Sequence, residues 1–365
     1  MAVLREIKQQ HPRAELRMWC DRHFESQART VLSSLDADVP VETILAGKFR
    51  RYHHLSVWQH ILWPSLMLAN VKDAFLVGFG FIQSLFKLII WRPDVVFTKG
   101  GYVCLPVGLA AHVLRIPLVI HDSDAHPGLT NRVLGRYADT IATGAPLEFY
   151  DYPKDRTHYV GIPISDKFTP YTRDEQKAAK GEWGVASDQP LIVVTGGGLG
   201  ARRVNNTVEK VLKKLQRFGS VVLVSGQGQY DELRSLLPPD SDRFQLHPFV
   251  SNMHSLLGAA DIVVTRAGAT TILELAALAK PTILIPNAAL TGGHQLKNAA
   301  VYEQAGVVMV LDEDEMVERP DNLVDTIKVM FDEPRQTRAM AKRFMTFSKP
   351  NAAKEMAELI LKARK

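Results

Sequence analysis

Thr270, Thr271 and Glu274 are the residues of this sequence best placed to do chemistry. They follow a short apolar run, Asp261-Ile-Val-Val, broken at Thr265-Arg-Ala-Gly268, and they sit in a segment running to Ala279 whose apolar residues recur at helical spacing. A second apolar run, Thr282-Ile-Leu-Ile285, follows the break at Lys280-Pro281. The pattern reads strand, loop, helix, strand. Such a βαβ unit places a ligand beyond the carboxyl ends of its strands, where the helix N-terminus can hold an anion. Thr270 and Thr271 fall in that first turn. Glu274 falls one turn later, where a carboxylate can accept hydrogen bonds from sugar hydroxyls while the amides before it face a phosphate. The alternative for Glu274 is plain complementation of the helix dipole.

Two glycine loops carry related chemistry. Leu191-Ile-Val-Val-Thr runs into Gly196-Gly197-Gly198-Leu199-Gly200-Ala201, a G-x-G-x-x-A loop between a strand and the helix expected over 202–216. A dinucleotide site would want an acidic residue at the end of the next strand, and here that strand ends Leu-Val-Ser225-Gly226. What remains is close backbone approach and free amides at a helix N-terminus, a cradle for a diphosphate. Lys99-Gly100-Gly101-Tyr102 is a similar loop in the first half, with Tyr102 able to stack on or hydrogen-bond a ligand. His121-Asp122-Ser123-Asp124 ends the strand after it, yet three adjacent residues on a strand cannot converge as a nucleophilic triad. Gly292-Gly293-His294-Gln295 lies past a later strand, where Gln295 can donate to and accept from a ribose or a hexose. No His, Cys or Asp cluster with ligand spacing accompanies His294, so no metal site is expected.

The elements that must hold these residues form a repeat. Asp94-Val-Val-Phe-Thr-Lys-Gly-Gly101 matches Asp261-Ile-Val-Val-Thr-Arg-Ala-Gly268 in character, and each precedes a helix rich in small residues and then an apolar strand led by Pro117 or Pro281. Self-similarity of this kind means two copies of one architecture: an α/β chain of two Rossmann-like domains facing across a cleft, with boundaries read as 1–162 and 163–348. Further strands are expected at 14–20, 41–46, 221–225 and 243–250, and helices at 1–10 and 252–260. A closing helix in 349–365 is placed to pack back on the first domain. Glu313, Asp314 and Glu315 read as a solvated loop.

Residues 48–91 differ in character. Lys48, Arg50, Arg51, His53 and His54 form a basic cluster ahead of two apolar segments, 55–71 and 74–86. Both fall short of the roughly 20 apolar residues of a membrane-crossing helix. They read either as two buried helices covering a sheet or as a face that enters a lipid interface, with Trp58 and Trp63 at headgroup level.

The 365 residues, 46% hydrophobic and 23% charged, make a globular protein with room for two domains. A net charge of +5 suits an anionic partner. Cys20 and Cys104 lack metal-type spacing and read as reduced packing residues, as in a cytoplasmic protein. The N-terminus lacks the apolar core of a signal peptide.

Taken together, the paired glycine loops, the block RAGATTILELAALAKPTILIP and the block GGHQLKNA resemble the GT-B glycosyltransferases, and more narrowly the MurG-type family, from about Pro93 onward. The resemblance implies an inverting transfer of N-acetylglucosamine from UDP-GlcNAc to a lipid-linked muramyl-peptide acceptor in peptidoglycan synthesis. It also implies a peripheral place on the cytoplasmic face of the plasma membrane. The partners would be a UDP-sugar donor, the lipid-linked acceptor and an anionic membrane surface, with no nucleic acid, and no metal or other cofactor would be required. On that resemblance Gly197, Gly198 and Gly200 take the diphosphate, Val250 the uracil through its backbone, Ala269, Thr270 and Thr271 the phosphates, Glu274 the ribose and Gln295 the donor sugar. Gly100, Gly101 and Tyr102 belong to the acceptor side, and Asp124 stands where the family has an asparagine near the sugars. This chain departs from the family at Gly198-Leu199 in place of Ser-Gln, at Asp122-Ser123-Asp124 in place of Glu-Gln-Asn, and at Ser165 in place of an arginine. The rival readings are another GT-B enzyme, such as a glycolipid glycosyltransferase or a UDP-GlcNAc epimerase, and a non-catalytic nucleotide-sugar-binding protein.

The chain opens in a helix, whereas a Rossmann-like domain opens with a central strand and a glycine loop. In the resembled family that loop carries the histidine proposed as base. The first domain is therefore expected to be truncated, with the reading frame continuing upstream for about 15 to 20 residues. The 365-residue form is expected to be poorly stable and inactive, with His121 or another histidine the alternative base.

Overall fold

A computed structural model describes residues 2–33, 39–48, 64–197, 200–288 and 293–364. The described helices and strands divide into two compact units, one drawn chiefly from Met1–Ile164 and Lys349–Lys365, the other from Ser165–Ala288 and Gln295–Ser348. The break at Ile164 falls two residues beyond the expected 162.

The first unit contains α1 (Ala2–Gln10), β1 (Met18–Cys20), α2 (Glu25–Leu32), β2 (Val41–Thr43), α3 (Pro64–Trp91), β3 (Val96–Thr98), α4 (Cys104–Val113), β4 (Leu118–Asp122), α5 (Leu129–Leu134), β5 (Thr140–Thr143) and β6 (Thr157–Tyr159). Its strands make two parallel sheets: β1 with β2, and β3-β4-β5-β6. Among the described residues no ladder joins β1 to β3. The further strand expected before Met1 concerns residues outside this sequence. Leu118, Ile120 and Ile141 pack against Val107, Ala110 and Leu134 in the larger core. Helix Ala352–Ala363 adds Met356 and Ile360 to a second core with Val3 and Ile7 of α1, at the face of β4 and β5.

The second unit contains α6 (Arg173–Glu182), β7 (Leu191–Thr195), α7 (Arg202–Leu215), β8 (Ser220–Val224), α8 (Tyr230–Leu236), β9 (Phe244–His247), α9 (Met253–Ala259), β10 (Ile262–Thr265), α10 (Ala269–Ala277), β11 (Thr282–Leu284), α11 (His294–Gln304), β12 (Met309–Val310), α12 (Glu313–Glu318), α13 (Asp321–Asp332) and α14 (Pro334–Phe344), leaving Ala352–Ala363 of the first unit as α15. All its strand pairs are parallel, in the order β12-β11-β10-β7-β8-β9. Sequence order reverses between β7 and β10, the switch point where such sheets bind ligands. Every residue of β7, β8, β10 and β11 is buried. A parallel sheet covered on both faces requires this, and it explains the unbroken apolar runs. Val204, Val208, Val211 and Leu215 of α7 face the same core at spacings of one or two helical turns.

Helix α3 corrects the reading of two buried helices. It is one continuous helix of 28 residues that runs through Lys72-Asp73. One side docks on the unit through buried Ser84 and Leu88, and at Gly80 an added Cβ would lie 1.8 Å from the Leu45 carbonyl oxygen. Gln83 accepts from the Leu45 amide at 2.9 Å and donates to the Thr43 carbonyl at 3.2 Å. The opposite side exposes Leu68, Phe75, Phe79, Ile82, Phe86 and Ile90. Met67–Trp91 is long and apolar enough to cross a membrane by length and composition. Trp58, Trp63 and the basic residues 50–54 lie outside the described residues.

Candidate functional site

The second unit brings the loops of the candidate site together at the switch point. Thr195 of β7 pairs with Thr265 of β10, so the loops that follow the two strands start side by side. The first of them depends on its glycines. Gly197 and Gly200 both have φ of 75°, and a Cβ on Gly200 would stand 2.2 Å from the Ser225 carbonyl oxygen. That contact seats the loop on the end of β8. Ser225 is held there by Asn205, whose Nδ2 donates to the Ser225 carbonyl at 2.9 Å and to Gln229 Oε1 at 2.8 Å. Gly198 and Leu199 lie outside the described residues.

Both helices that leave these loops have uncapped N-termini. Ala201 precedes α7 and Gly268 precedes α10, and neither supplies a side-chain cap. The first intrahelical bonds are Asn205 N–H to Ala201 C=O at 2.9 Å and Ile272 N–H to Gly268 C=O at 3.0 Å. The amides of 202–204 and of Ala269, Thr270 and Thr271 therefore have no helical acceptor, and the positive ends of two helix dipoles lie at adjacent loops. Two such N-termini suit the two phosphates of a diphosphate.

Glu274 stands one turn further along α10, half-buried, its carboxylate making no hydrogen bond or ion pair to a described residue. Desolvation pushes its carboxyl up to about 7. A partly desolvated carboxylate with no partner among the described residues is ready to accept hydroxyl donors. Val250, after β9, has a buried side chain, while its backbone N–H and C=O are left unengaged by described residues. Gln295 is less free than its sequence position implied: its Oε1 accepts from the Asn287 amide at 2.9 Å, tying the start of α11 to the segment after β11. Its amide nitrogen meets no acceptor among the described residues.

Glu313 is a correction. It is buried, not part of a solvated loop, and it opens α12, whose N-cap Asp312 accepts from the amides of Asp314 and Glu315 at 2.8 and 3.0 Å. Its carboxylate pairs with Arg266 of the loop after β10 and, at 3.3 Å, with Arg203 of α7. Arg266 also donates to the Ile285 carbonyl at 3.1 Å, and Asn298 Nδ2 donates to the Ala267 carbonyl at 3.2 Å. The sequence held one signal for this, the run Asp312-Glu313 with the form of a helix start.

In the first unit, Gly100 and Gly101 adopt φ of 78° and 88°, and the Gly100 carbonyl accepts from Cys104 Sγ at 2.7 Å. Tyr102 is not a free hydroxyl: burial and a hydrogen bond to Asp21 push it up to about 12. Asp124 lies in the loop after β4, and its backbone carbonyl accepts from Tyr150 Oη at 2.6 Å. Asp122 is buried, receives Tyr152 Oη at 2.9 Å, and is pushed by desolvation up to about 7. His121 is sealed. Nε2 donates to the Gly161 carbonyl at 2.8 Å, Nδ1 accepts from Ser123 at 3.2 Å, and burial holds the ring down at about 4. It cannot reach a substrate hydroxyl, and the reading of His121 as alternative base fails. Both cysteines are free thiols. No cluster of potential metal ligands occurs among the described residues.

Residues 1–143 match the glycosyltransferase family 28 N-terminal domain and residues 191–356 the glycosyltransferase family 28 C-terminal domain. Two relatives bear the name UDP-N-acetylglucosamine-N-acetylmuramyl-(pentapeptide) pyrophosphoryl-undecaprenol N-acetylglucosamine transferase. The one from Listeria welshimeri is 31% identical over 364 residues, covering 99% of this chain and 94% of the relative. The one from Listeria monocytogenes is 31% identical over 368 residues, covering 100% and 95%. Among solved structures, MurG of Acinetobacter baumannii has a TM-score of 0.71 at 22% identity, with 99% of this chain and 94% of that one covered. UDP-GlcNAc 2-epimerase from Neisseria meningitidis, bound to UDP-GlcNAc, has a TM-score of 0.64 at 14% identity, with 99% and 95% covered. With two parallel-sheet α/β domains of the GT-B fold, the chain belongs to glycosyltransferase family 28, among its MurG-type N-acetylglucosamine transferases.

Proposed function

We propose that the protein moves N-acetylglucosamine from UDP-GlcNAc to a lipid-linked muramyl-peptide acceptor, with inversion at the anomeric carbon, at an anionic membrane surface. The observation that carries the donor half is the desolvated Glu274 carboxylate, which meets no partner among the described residues, beside two uncapped helix N-termini at the switch point. In this reading Gly197, Gly200 and the amides of Ala269, Thr270 and Thr271 hold the diphosphate. Glu274 accepts from the ribose hydroxyls, the backbone of Val250 meets the uracil, and the Gln295 amide nitrogen donates to the sugar. Charge builds on the β-phosphate as the glycosidic bond breaks. Fixed amides aimed there stabilise the departing UDP without reorganisation, so transfer is expected to continue in the presence of a chelator. Gly100, Gly101, Tyr102 and Asp124 are assigned to the acceptor.

The exposed apolar side of α3 supports the membrane half. One face of the helix is committed to the protein through Ser84 and Leu88, so the other is suited to lie in the interface rather than to cross it. The deciding experiment is a turnover assay with radiolabelled UDP-GlcNAc, with and without a muramyl-pentapeptide diphospho-polyprenol acceptor. Transfer of label to the acceptor is expected, in place of the inactivity read from the opening of the sequence, since the chain matches relatives named as transferases over 94% and 95% of their length. Release of a changed sugar or of UDP without acceptor would favour the epimerase reading, and binding without any turnover the non-catalytic one.

A further inference from the structure

We infer that Glu313 is a positioning residue for the donor diphosphate: by bridging Arg266 and Arg203 it fixes the two uncapped helix N-termini relative to each other. The inference rests on the donor-site reading above and adds to it a residue that touches no substrate.

The geometry is specific. Glu313 and Arg266 have side chains only 5% and 8% exposed, and they meet directly. Arg266 belongs to the loop whose end is the N-cap of α10, and its second nitrogen is fixed to the Ile285 carbonyl beyond β11. The other oxygen of Glu313 faces Arg203, in the first turn of α7 directly after the glycine loop, and Arg203 is held from outside by Asp314 at 2.5 Å. One buried carboxylate thus connects the first turn of α7 with the β10–α10 loop, which lie far apart in sequence. An ion pair taken from water gains little net stability against its desolvation cost. Its value is in direction, because each guanidinium is held by a charged and geometrically restrictive partner. Amides placed for two phosphates must keep their spacing to a fraction of an ångström, and supporting contacts of this kind keep it. Without Glu313, Arg266 would be a buried cation with only carbonyl partners, and the loop would relax to rehydrate it.

The test separates this role from general stability. UDP and uridine affinities are measured for the wild type, Glu313→Gln and Arg203→Gln, with thermal midpoints for each. Glu313→Gln should weaken UDP by about tenfold, the scale of one charge-assisted contact, while uridine, which lacks the diphosphate, stays within about twofold. Arg203→Gln removes only the exposed end of the bridge, keeps the fold, and should shift the UDP-to-uridine ratio in the same direction by a smaller factor. Should Glu313→Gln not fold, the Arg203→Gln ratio decides. Equal losses for UDP and uridine, or an unchanged ratio in both variants, would overturn the inference and leave the donor-site reading standing. A wild type that binds neither ligand overturns both.

Discussion

Replacing Glu274 by glutamine should stabilise the ligand-free protein at alkaline pH while impairing nucleotide binding. The carboxyl is pushed from 4.5 to about 7 by desolvation alone. A folded state that holds its proton more tightly than the unfolded chain loses stability as pH rises through that window. The contribution is therefore neutral below about 4.5, declines between 4.5 and 7, and is a full penalty above 7. At roughly 1.36 kcal/mol per pH unit the penalty reaches about 3 kcal/mol, an upper bound because the half-buried group keeps some contact with water. Glutamine removes the charge at nearly constant shape. Denaturant unfolding of wild type and Glu274→Gln should show the variant more stable at pH 8, by up to about 3 kcal/mol, with the gap closing toward pH 4.5. UDP binding by calorimetry should move the other way. Wild-type affinity rises with pH through about 7 as the acceptor form of Glu274 becomes populated, and Glu274→Ala loses roughly 1 to 3 kcal/mol. A Glu274→Gln protein no more stable at pH 8 would refute the desolvation reasoning. Unchanged UDP affinity in Glu274→Ala would return the residue to the helix-dipole role.

Gly200→Ala puts a Cβ 2.2 Å from the Ser225 carbonyl oxygen at a φ of 75°. It should cost more than about 1 kcal/mol of stability and weaken UDP binding, and wild-type behaviour in both assays would count against the loop geometry. Phe75→Ser with Phe79→Ser and Phe86→Ser alters side chains that are 67%, 59% and 63% exposed. Each transferred ring is worth roughly 1.5 to 3 kcal/mol in an apolar medium. Binding to vesicles containing anionic lipid should therefore drop at least tenfold, by about 1.4 kcal/mol, while the thermal midpoint holds. A collapsed midpoint with unchanged vesicle binding would mean the face is core. His121→Asn should lose activity only in proportion to lost stability and leave the shape of the pH–rate profile intact, since the ring is sealed between Gly161 and Ser123. A profile that loses a limb would restore His121 as a proton carrier.

By itself the sequence determined the second domain's elements and the loops that meet at its switch point. Strands buried on both faces must be continuous apolar runs, and glycine loops must punctuate them, so 191–195, 220–224, 262–265 and 282–284 could be read within a residue or so. The likeness of Asp94–Gly101 to Asp261–Gly268 announced two domains for the same reason: similar parallel sheets demand similar strings. Only the tertiary structure decided which polar groups meet. Glu313 looks like any surface carboxylate until β11 and β12 bring it to Arg266, and His121 looks available until the Gly161 carbonyl closes on it. The apolar segments 55–71 and 74–86 read as separate elements, yet α3 runs on through Lys72-Asp73, with Asp73 buried against the protein. Periodicity is a local property and records which face of an element is dry. Hydrogen-bond and ion-pair partners depend on strand order, and strand order at the switch point joins residues that the chain keeps tens of positions apart.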